Sequence, residues 1–232
     1  MTLALLILWA VLLFGGFLFG KIDAERARRM PRWARLASSL TLVAAAWFLH
    51  FSAAETTAYT LPIAIGMTLG FIGDLFLAGV LSGSREVIPG LGAFGAGHVA
   101  YIIGIISYGD QIGANDSGAR FAAFVVWWII AVIGWYLAVF RFAKGKPEVL
   151  HWFALVYAIL LSSTAGGATG LALQNAVFAP LALGAALFLF SDLLIAARMF
   201  GKVHFTLIDD VIWLTYGPAQ ALIVFASVYT LS

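Results

Sequence analysis

Eight apolar runs divide this chain, at roughly 2–20, 33–52, 59–81, 88–107, 119–140, 149–172, 178–200 and 208–230. Each is about as long as a helix must be to cross the hydrocarbon core of a bilayer, some 17–25 residues. Nothing else in the sequence constrains the fold so strongly. Lipid offers no partner to an unpaired backbone N–H or C=O, so the backbone must satisfy itself within each segment. The loops between the runs are short and leave no room for a second soluble domain. The expectation is an all-α integral membrane protein, an eight-transmembrane-helix bundle forming a single domain over residues 1–232. At 63% hydrophobic and 10% charged, the chain carries more apolar surface than a soluble core uses. The first run has no basic segment before it and no A-x-A site after it. It is expected to remain as a transmembrane helix rather than to be cleaved as a signal peptide.

The basic pI near 9.0 does not point to nucleic acid, because of where the charges lie. Lys21, Arg26, Arg28, Arg29, Arg32 and Arg35 fall in or beside the first loop, and Arg85 falls in the third. Arg141, Lys144 and Lys146 fall in the fifth, and Arg198 and Lys202 in the seventh. Twelve of the 13 basic residues thus share one side, with Arg120 alone on the other. The positive-inside rule then puts the odd loops in the cytoplasm and both termini on the non-cytoplasmic side, and an even helix count agrees. A multi-pass protein of a bacterial inner membrane is expected. The chain has no cysteine, which excludes disulfides, thiol catalysis and iron–sulfur ligation.

Against this background two residues stand out. Asp74 and Asp192 lie inside apolar helices, each 14 residues from the expected start of its run at Thr60 and Phe178. A carboxylate at such a depth costs roughly 2.5–3.5 kcal/mol on insertion scales, so intramembrane acids are usually functional. GFIGDLFLA at 70–78 resembles FLFSDLLIA at 188–196, and AGHVAYIIGI at 96–105 resembles PAQALIVFAS at 218–227. A 4+4 parallel repeat is one reading of that likeness. His98, Tyr101, Tyr216 and Gln220 fall at depths from which, with the two aspartates, they can converge in one inward-leaning cavity. Tyr101 follows His98 by three residues and Gln220 follows Tyr216 by four, so each pair shares a helix face.

Several other features have simpler readings. The small residues of GLGAFGAGH (90–98) and SSTAGGATG (162–170) suit close helix packing. The basic first loop sets topology. His50 and Glu55 sit near an interface. Asp209 and Asp210, at the start of the last helix, suit the positive end of its dipole and a capping role. Asp74, Asp192 and His98 offer only one histidine, whereas catalytic zinc usually takes three protein ligands, mostly His. No metal is expected. No serine sits in a G-x-S-x-G elbow, so serine esterase chemistry is not indicated.

Two neighbouring carboxyls in a dry site disfavour each other's ionisation, so one can stay protonated while the other remains a carboxylate. Such a pair suits acid-initiated cleavage through an oxocarbenium-like cation. In a membrane the natural substrate is a lipid. An alkenyl ether fits this chemistry, because protonating its vinyl carbon gives an oxocarbenium ion directly. Which aspartate is the acid stays open.

Four segments in order carry a family resemblance: Gly66–Leu77 (GMTLGFIGDLFL), Gly92–Gly104 (GAFGAGHVAYIIG), Gly184–Ala196 (GAALFLFSDLLIA) and Thr215–Ile223 (TYGPAQALI). Together they resemble the successive motifs of the YhhN-type membrane family, which includes the lysoplasmalogenases. The resemblance spans nearly the whole chain. It implies hydrolysis of the vinyl ether of lysoplasmalogens to a fatty aldehyde and a glycerophospho-base, with no cofactor. It implies a lysophospholipid substrate and a membrane-lipid setting. It also implies catalytic roles for Asp74 and Asp192, and substrate-binding roles for His98, Tyr101, Tyr216 and Gln220. Members often carry Lys-Pro in helix two, where this chain reads RLASSLTL (Arg35–Leu42). Arg35 is the cation in this stretch that can meet a headgroup phosphate. A methionine often found in helix six is also absent, with Ser162 and Ser163 nearby.

The rival reading is a proton-coupled transporter of a small molecule or lipid, since paired intramembrane acids also relay protons. It expects broken helices, whereas one proline, Pro218, is expected well inside a helix. A lipid-binding scaffold without turnover is the third.

Overall fold

A computed structural model of the chain describes residues 1–52, 57–81, 83–84, 86–143 and 147–230. Glu55, Arg85, Lys144 and Lys146 lie outside the described residues. Among those described there are helices and no strands. Seven helices are long and apolar enough to cross a membrane. They are α1 (Thr2–Phe19), α2 (Arg32–Ser52), α3 (Thr57–Leu77), α4 (Val87–Gln111), α5 (Ser117–Ala138), α6 (Val149–Gln174) and α7 (Ala179–Gly201). Short 3₁₀ turns at Phe140–Phe142 and Ala176–Phe178 extend α5 and lead into α7. The chain is a helical integral membrane protein.

The eighth expected span takes a different form. It divides into α8 (Ile208–Val224), of 17 residues, and α9 (Ala226–Thr230), with a break at Phe225. Alone, α8 is at the short end of what a bilayer core asks for. It is also the more polar of the pair, with Asp209 and Asp210 in its first turn and Gln220 in its interior. It can carry these residues because it is enclosed by protein, packing on α7, α2, α3 and α1. A second internal proline, Pro62, lies in α3 in addition to Pro218 in α8.

Consecutive helices pair as antiparallel neighbours, α1 with α2, α3 with α4, α5 with α6 and α7 with α8. Helix α6 ties the halves together by packing on both α4 and α7. Of the apolar stretches of α1 and α5, only 17% and 22% is buried, against 44% for α3 and α4. The first two are therefore peripheral, and their exposed Leu3, Ile7, Phe121 and Ile129 face outward as a lipid-facing surface would. Helices α3 and α4 approach most closely at Gly66 and Gly97, where a Cβ on Gly97 would meet the Gly66 carbonyl oxygen at 2.9 Å. Only a residue without a side chain permits that approach.

Two local devices shape one end of the bundle. Helix α3 stops at Leu77, earlier than its apolar run, because Gly79 takes a left-handed conformation (φ 68°). Val80 N–H then donates to Leu75 C=O and Gly79 N–H to Phe76 C=O, both at 3.0 Å, which is a Schellman ending. Asp74 consequently sits three residues from the end of α3, whereas Asp192 sits nine residues from the end of α7. The equal spacing expected from the helix starts is not kept. The second device anchors the loop between α1 and α2. Asp210 is fully buried and accepts the backbone N–H groups of Arg29 at 2.5 Å and Met30 at 3.0 Å. Leu207 and Asp209 N–H groups donate to the carbonyls of Arg26 and Ala27 at 2.8 and 2.9 Å. Asp209 pairs with Arg198. The two acids do not cap their own helix, whose N-cap is Leu207 without a side-chain bond. They fasten the α1–α2 loop and α7 to α8.

Candidate active site

At that same end, between α2, α3, α7 and α8, lies a cavity of about 720 Å³. Its inner wall carries Asp74, Asp192, Tyr216, Phe94 and Trp213, and its rim carries Arg28, Arg32, Arg35 and Arg198. Of the rim cations, Arg28 is held by Asp23 at 3.2 Å and Arg198 by Asp209. Arg32 donates to the Ala78 carbonyl at 3.3 Å. Arg35 rests with its guanidinium 5.5 Å from the centre of the Trp213 ring, and its buried Nε has no hydrogen-bond partner among the described residues. Asp23, Glu25 and Asp209 share the lining with these arginines, and Asp74 and Asp192 lie on the helices behind them.

Each aspartate has its own set of donors. Asp74, 6% exposed, accepts on Oδ2 from Ser39 Oγ at 2.6 Å and from Tyr216 OH at 3.0 Å. Ser39 comes from the RLASSLTL stretch of α2, where the chain departs from the Lys-Pro of the resembling family. Asp192 accepts on Oδ2 from Tyr157 OH, and Ser191 Oγ lies 3.3 Å from its Oδ1. A carboxyl inside a helical bundle needs such donors, because a buried polar group without them costs about 1–3 kcal/mol.

Behind Asp74 runs a chain of bonds with one direction. Tyr101 OH donates to Gln220 Oε1 at 2.7 Å, and Gln220 Nε2 donates to Tyr216 OH at 3.2 Å. The amide hydrogen occupies a lone pair of the Tyr216 oxygen, so the phenolic hydrogen is aimed at Asp74. The array brings α4, α8 and α3 together through side chains alone. His98 belongs to an adjoining layer. Its Nδ1 lies 2.9 Å from Thr164 Oγ1, its ring is 4.6 Å from that of Phe188, and its buried Nε2 has no hydrogen-bond partner among the described residues. Phe188 in turn meets Tyr216 edge-on at 5.1 Å.

The expected residues therefore divide by position. Asp74, Asp192, Tyr216 and Arg35 line the cavity. Tyr101, Gln220 and His98 stand behind its wall, joined to it through Tyr216 and Phe188. Tyr157, Ser39, Thr164, Phe94 and Trp213 are not among the residues expected at the site. A hydroxyl or an aromatic ring in an apolar helix gives no signal of which neighbour it faces. Ser39, Phe94 and Thr164 do lie inside the stretches RLASSLTL, GLGAFGAGH and SSTAGGATG, and Tyr157 lies five residues before the last of these. Ser162 and Ser163 donate to the Ile159 carbonyl at 3.0 and 2.7 Å and stay outside the cavity lining. Among the described residues no cluster of three His, Asp or Glu side chains is arranged to hold a metal ion.

Comparison with known proteins gives one positive result. Neither the curated proteins nor the solved structures yield a match to this chain. The YhhN family matches residues 32–227, a stretch that takes in both aspartates, the Tyr101–Gln220–Tyr216 array and all four motif segments. By that match, over most of its length, the chain belongs to the YhhN family.

Proposed function

We propose that this protein is a membrane-embedded hydrolase that cleaves the vinyl ether bond of lysoplasmalogens, releasing a fatty aldehyde and a glycerophospho-base. The observation that carries this reading is the presence of Asp74 and Asp192 in the wall of one cavity whose entrance is lined with arginines. Family membership supports it. One carboxyl, protonated, delivers its proton to the vinyl carbon that does not bear oxygen. The ether oxygen then shares a lone pair with the adjacent carbon, giving an oxocarbenium ion. The other carboxyl, ionised, stabilises the cation and takes a proton from the water that adds to it. The hemiacetal so formed collapses to aldehyde and alcohol, and both carboxyls regain their starting states. Ser39, Tyr216 and Tyr157 fix the two carboxyls without pairing them with a cation, which leaves Arg35, a rim arginine that no acid holds among the described residues, for the substrate.

Arg35 is the headgroup ligand in this account. Its guanidinium is braced on Trp213, and a phosphate suits its planar donor fork. Tyr216 orients Asp74, and Tyr101, Gln220 and His98 hold Tyr216 and the aromatic wall in place. The protein spans the membrane eight times, with α8 and α9 together forming the last crossing. Both termini lie on the non-cytoplasmic side, and the cavity faces the cytoplasm of a bacterial inner membrane. The support is the bias of 12 of 13 basic residues to the odd loops.

The test is aldehyde release from lysoplasmenyl-ethanolamine by purified protein, with the diacyl and alkyl-ether analogues as controls. Wild-type protein should release aldehyde from the vinyl ether only, and Asp74→Asn and Asp192→Asn should each lose at least a hundredfold. Full activity in both variants would exclude the acid-pair mechanism.

A further inference from the structure

Asp192 touches a second hollow. A narrow crevice of about 70 Å³ lies along α7 against α4, α5 and α6, on the flank turned away from α2 and α8. Its walls are apolar. Helix α6 contributes Ala154, Ala158 and Leu161 at helical spacing, and α7 contributes Met199 near its end. Of the polar side chains in this lining, Trp135 donates its Nε1–H to the His151 carbonyl at 2.8 Å and Tyr157 donates to Asp192. The Asp192 carboxyl is its single charged group. Leu77, Phe94, Asp192 and Ile195 line the crevice and the arginine-rimmed cavity alike, whereas Asp74 lines the cavity alone. The charged cavity and the apolar crevice therefore meet at Asp192.

A lysolipid ether is divided in the same way. Its headgroup and glycerol are polar, its chain is apolar, and the vinyl ether is the junction. We infer that the crevice is the subsite for the stretch of hydrocarbon chain next to the vinyl ether, which sets the vinyl carbons against Asp192 and makes Asp192 the acid and Asp74 the base toward water. This assignment rests on the hydrolase reading and deepens it.

The proton then moves as follows. Asp192 Oδ1–H protonates the chain-side vinyl carbon, whose π pair becomes the new C–H bond, while an ether oxygen lone pair forms the C=O⁺ bond. Asp74, on the polar side, takes one proton from the water that adds to the oxygen-bearing carbon. In the collapse, the Asp192 carboxylate takes the hemiacetal hydroxyl proton, the bond to the glycerol oxygen breaks, and Asp74 returns its proton to that oxygen. One water is consumed and both acids are restored. Tyr157 is a positioning residue here: it donates to Oδ2, and Ser191, 3.3 Å from Oδ1, spends its one hydrogen on the Phe188 carbonyl at 2.8 Å, so Oδ1 is the proton-bearing oxygen. Between lipid and crevice the chain gains little hydrophobic free energy, since lipid is equally apolar. The crevice acts by orientation, and its effect belongs in turnover of long chains.

The experiment compares 1-O-hexadecenyl and 1-O-propenyl glycerophosphoethanolamine, the second having almost no chain to place. Ala154→Phe and Met199→Trp narrow the crevice at different depths. Each should lower the ratio of hexadecenyl to propenyl turnover at least tenfold. A ratio unchanged in both variants overturns the inference. If the wild-type protein releases aldehyde from neither ether, the hydrolase reading fails first and takes the inference with it. Wild-type protein supplies a readout that needs no substitution and no turnover: a non-hydrolysable hexadecyl-ether lysolipid carrying a diazirine in its chain. Photolabelling should fall on peptides of α6 and α7 that contain Ala154–Leu161 and Leu189–Phe200. Labelling confined to other helices would refute the chain subsite even if the enzyme is active.

Discussion

The array behind Asp74 makes a quantitative prediction, because its middle bond is shared by two residues. Tyr216→Phe removes two hydrogen bonds, the one donated to Asp74 and the one accepted from Gln220. Gln220→Leu also removes two, the one donated to Tyr216 and the one accepted from Tyr101. The double variant loses three, not four. Side-chain hydrogen bonds between membrane helices are worth about 0.6 kcal/mol on average and up to about 1.7 kcal/mol. Burial places all three bonds toward the upper end, and the bond to Asp74 has a carboxyl acceptor besides. Each single variant should therefore lose about 2–3 kcal/mol. At about 2–4 °C per kcal/mol for a chain of this size, that is a fall in Tm of about 4–12 °C. The double variant should fall short of the additive loss by the one shared bond, about 0.6–1.7 kcal/mol. The assay is thermal unfolding in detergent followed by intrinsic fluorescence, for which the chain carries eight tryptophans. Losses that add to within about 0.3–0.5 kcal/mol, the tolerance for uncoupled sites, would refute a connected array. A positioning role adds a second expectation. Tyr216→Phe should lower kcat more than it raises KM, since the hydroxyl holds Asp74 and not the headgroup.

Other expectations follow from single contacts. Asp210→Ala strands the N–H groups of Arg29 and Met30 and should cost about 2–4 kcal/mol, read as a lower Tm, with faster proteolysis of the loop at residues 21–31. Arg35→Ala should raise KM for lysoplasmenyl-ethanolamine about tenfold with little change in kcat, and Arg35→Lys should recover part of it, because a point charge replaces a planar fork. Tyr157→Phe should lower turnover while leaving lysolipid binding, measured with the alkyl-ether analogue, near the wild-type value.

Sequence and structure agree where the physics is local. Seven of the apolar runs became helices with ends within a few residues, since length and hydropathy suffice to specify a span. The early end of α3 had its signal in Gly79, the one residue there that takes a positive φ without strain. The break at Phe225 had none: no glycine or proline marks it, and the pattern runs smoothly through 208–230. Asp74 and Asp192 were legible because an acid in an apolar run is costly wherever it points. Of their partners Tyr216 was legible and Ser39 and Tyr157 were not, because a serine or tyrosine is cheap in a helix and acquires meaning only from a neighbour on another element. Asp209 and Asp210 illustrate the same limit. At a helix start they look like caps, and only the fold reveals that one fastens a distant loop and the other holds Arg198.

The most direct test of the acid-pair account follows the proton itself. Hydrolysis of lysoplasmenyl-ethanolamine in D₂O, with the aldehyde reduced as it forms, should leave a single deuterium on carbon 2 of the resulting alcohol, the former vinyl carbon protonated by the acid. Asp74→Asn and Asp192→Asn should yield almost none of this product. A product without deuterium at carbon 2, or one formed at the wild-type rate by either variant, would contradict proton delivery from this pair.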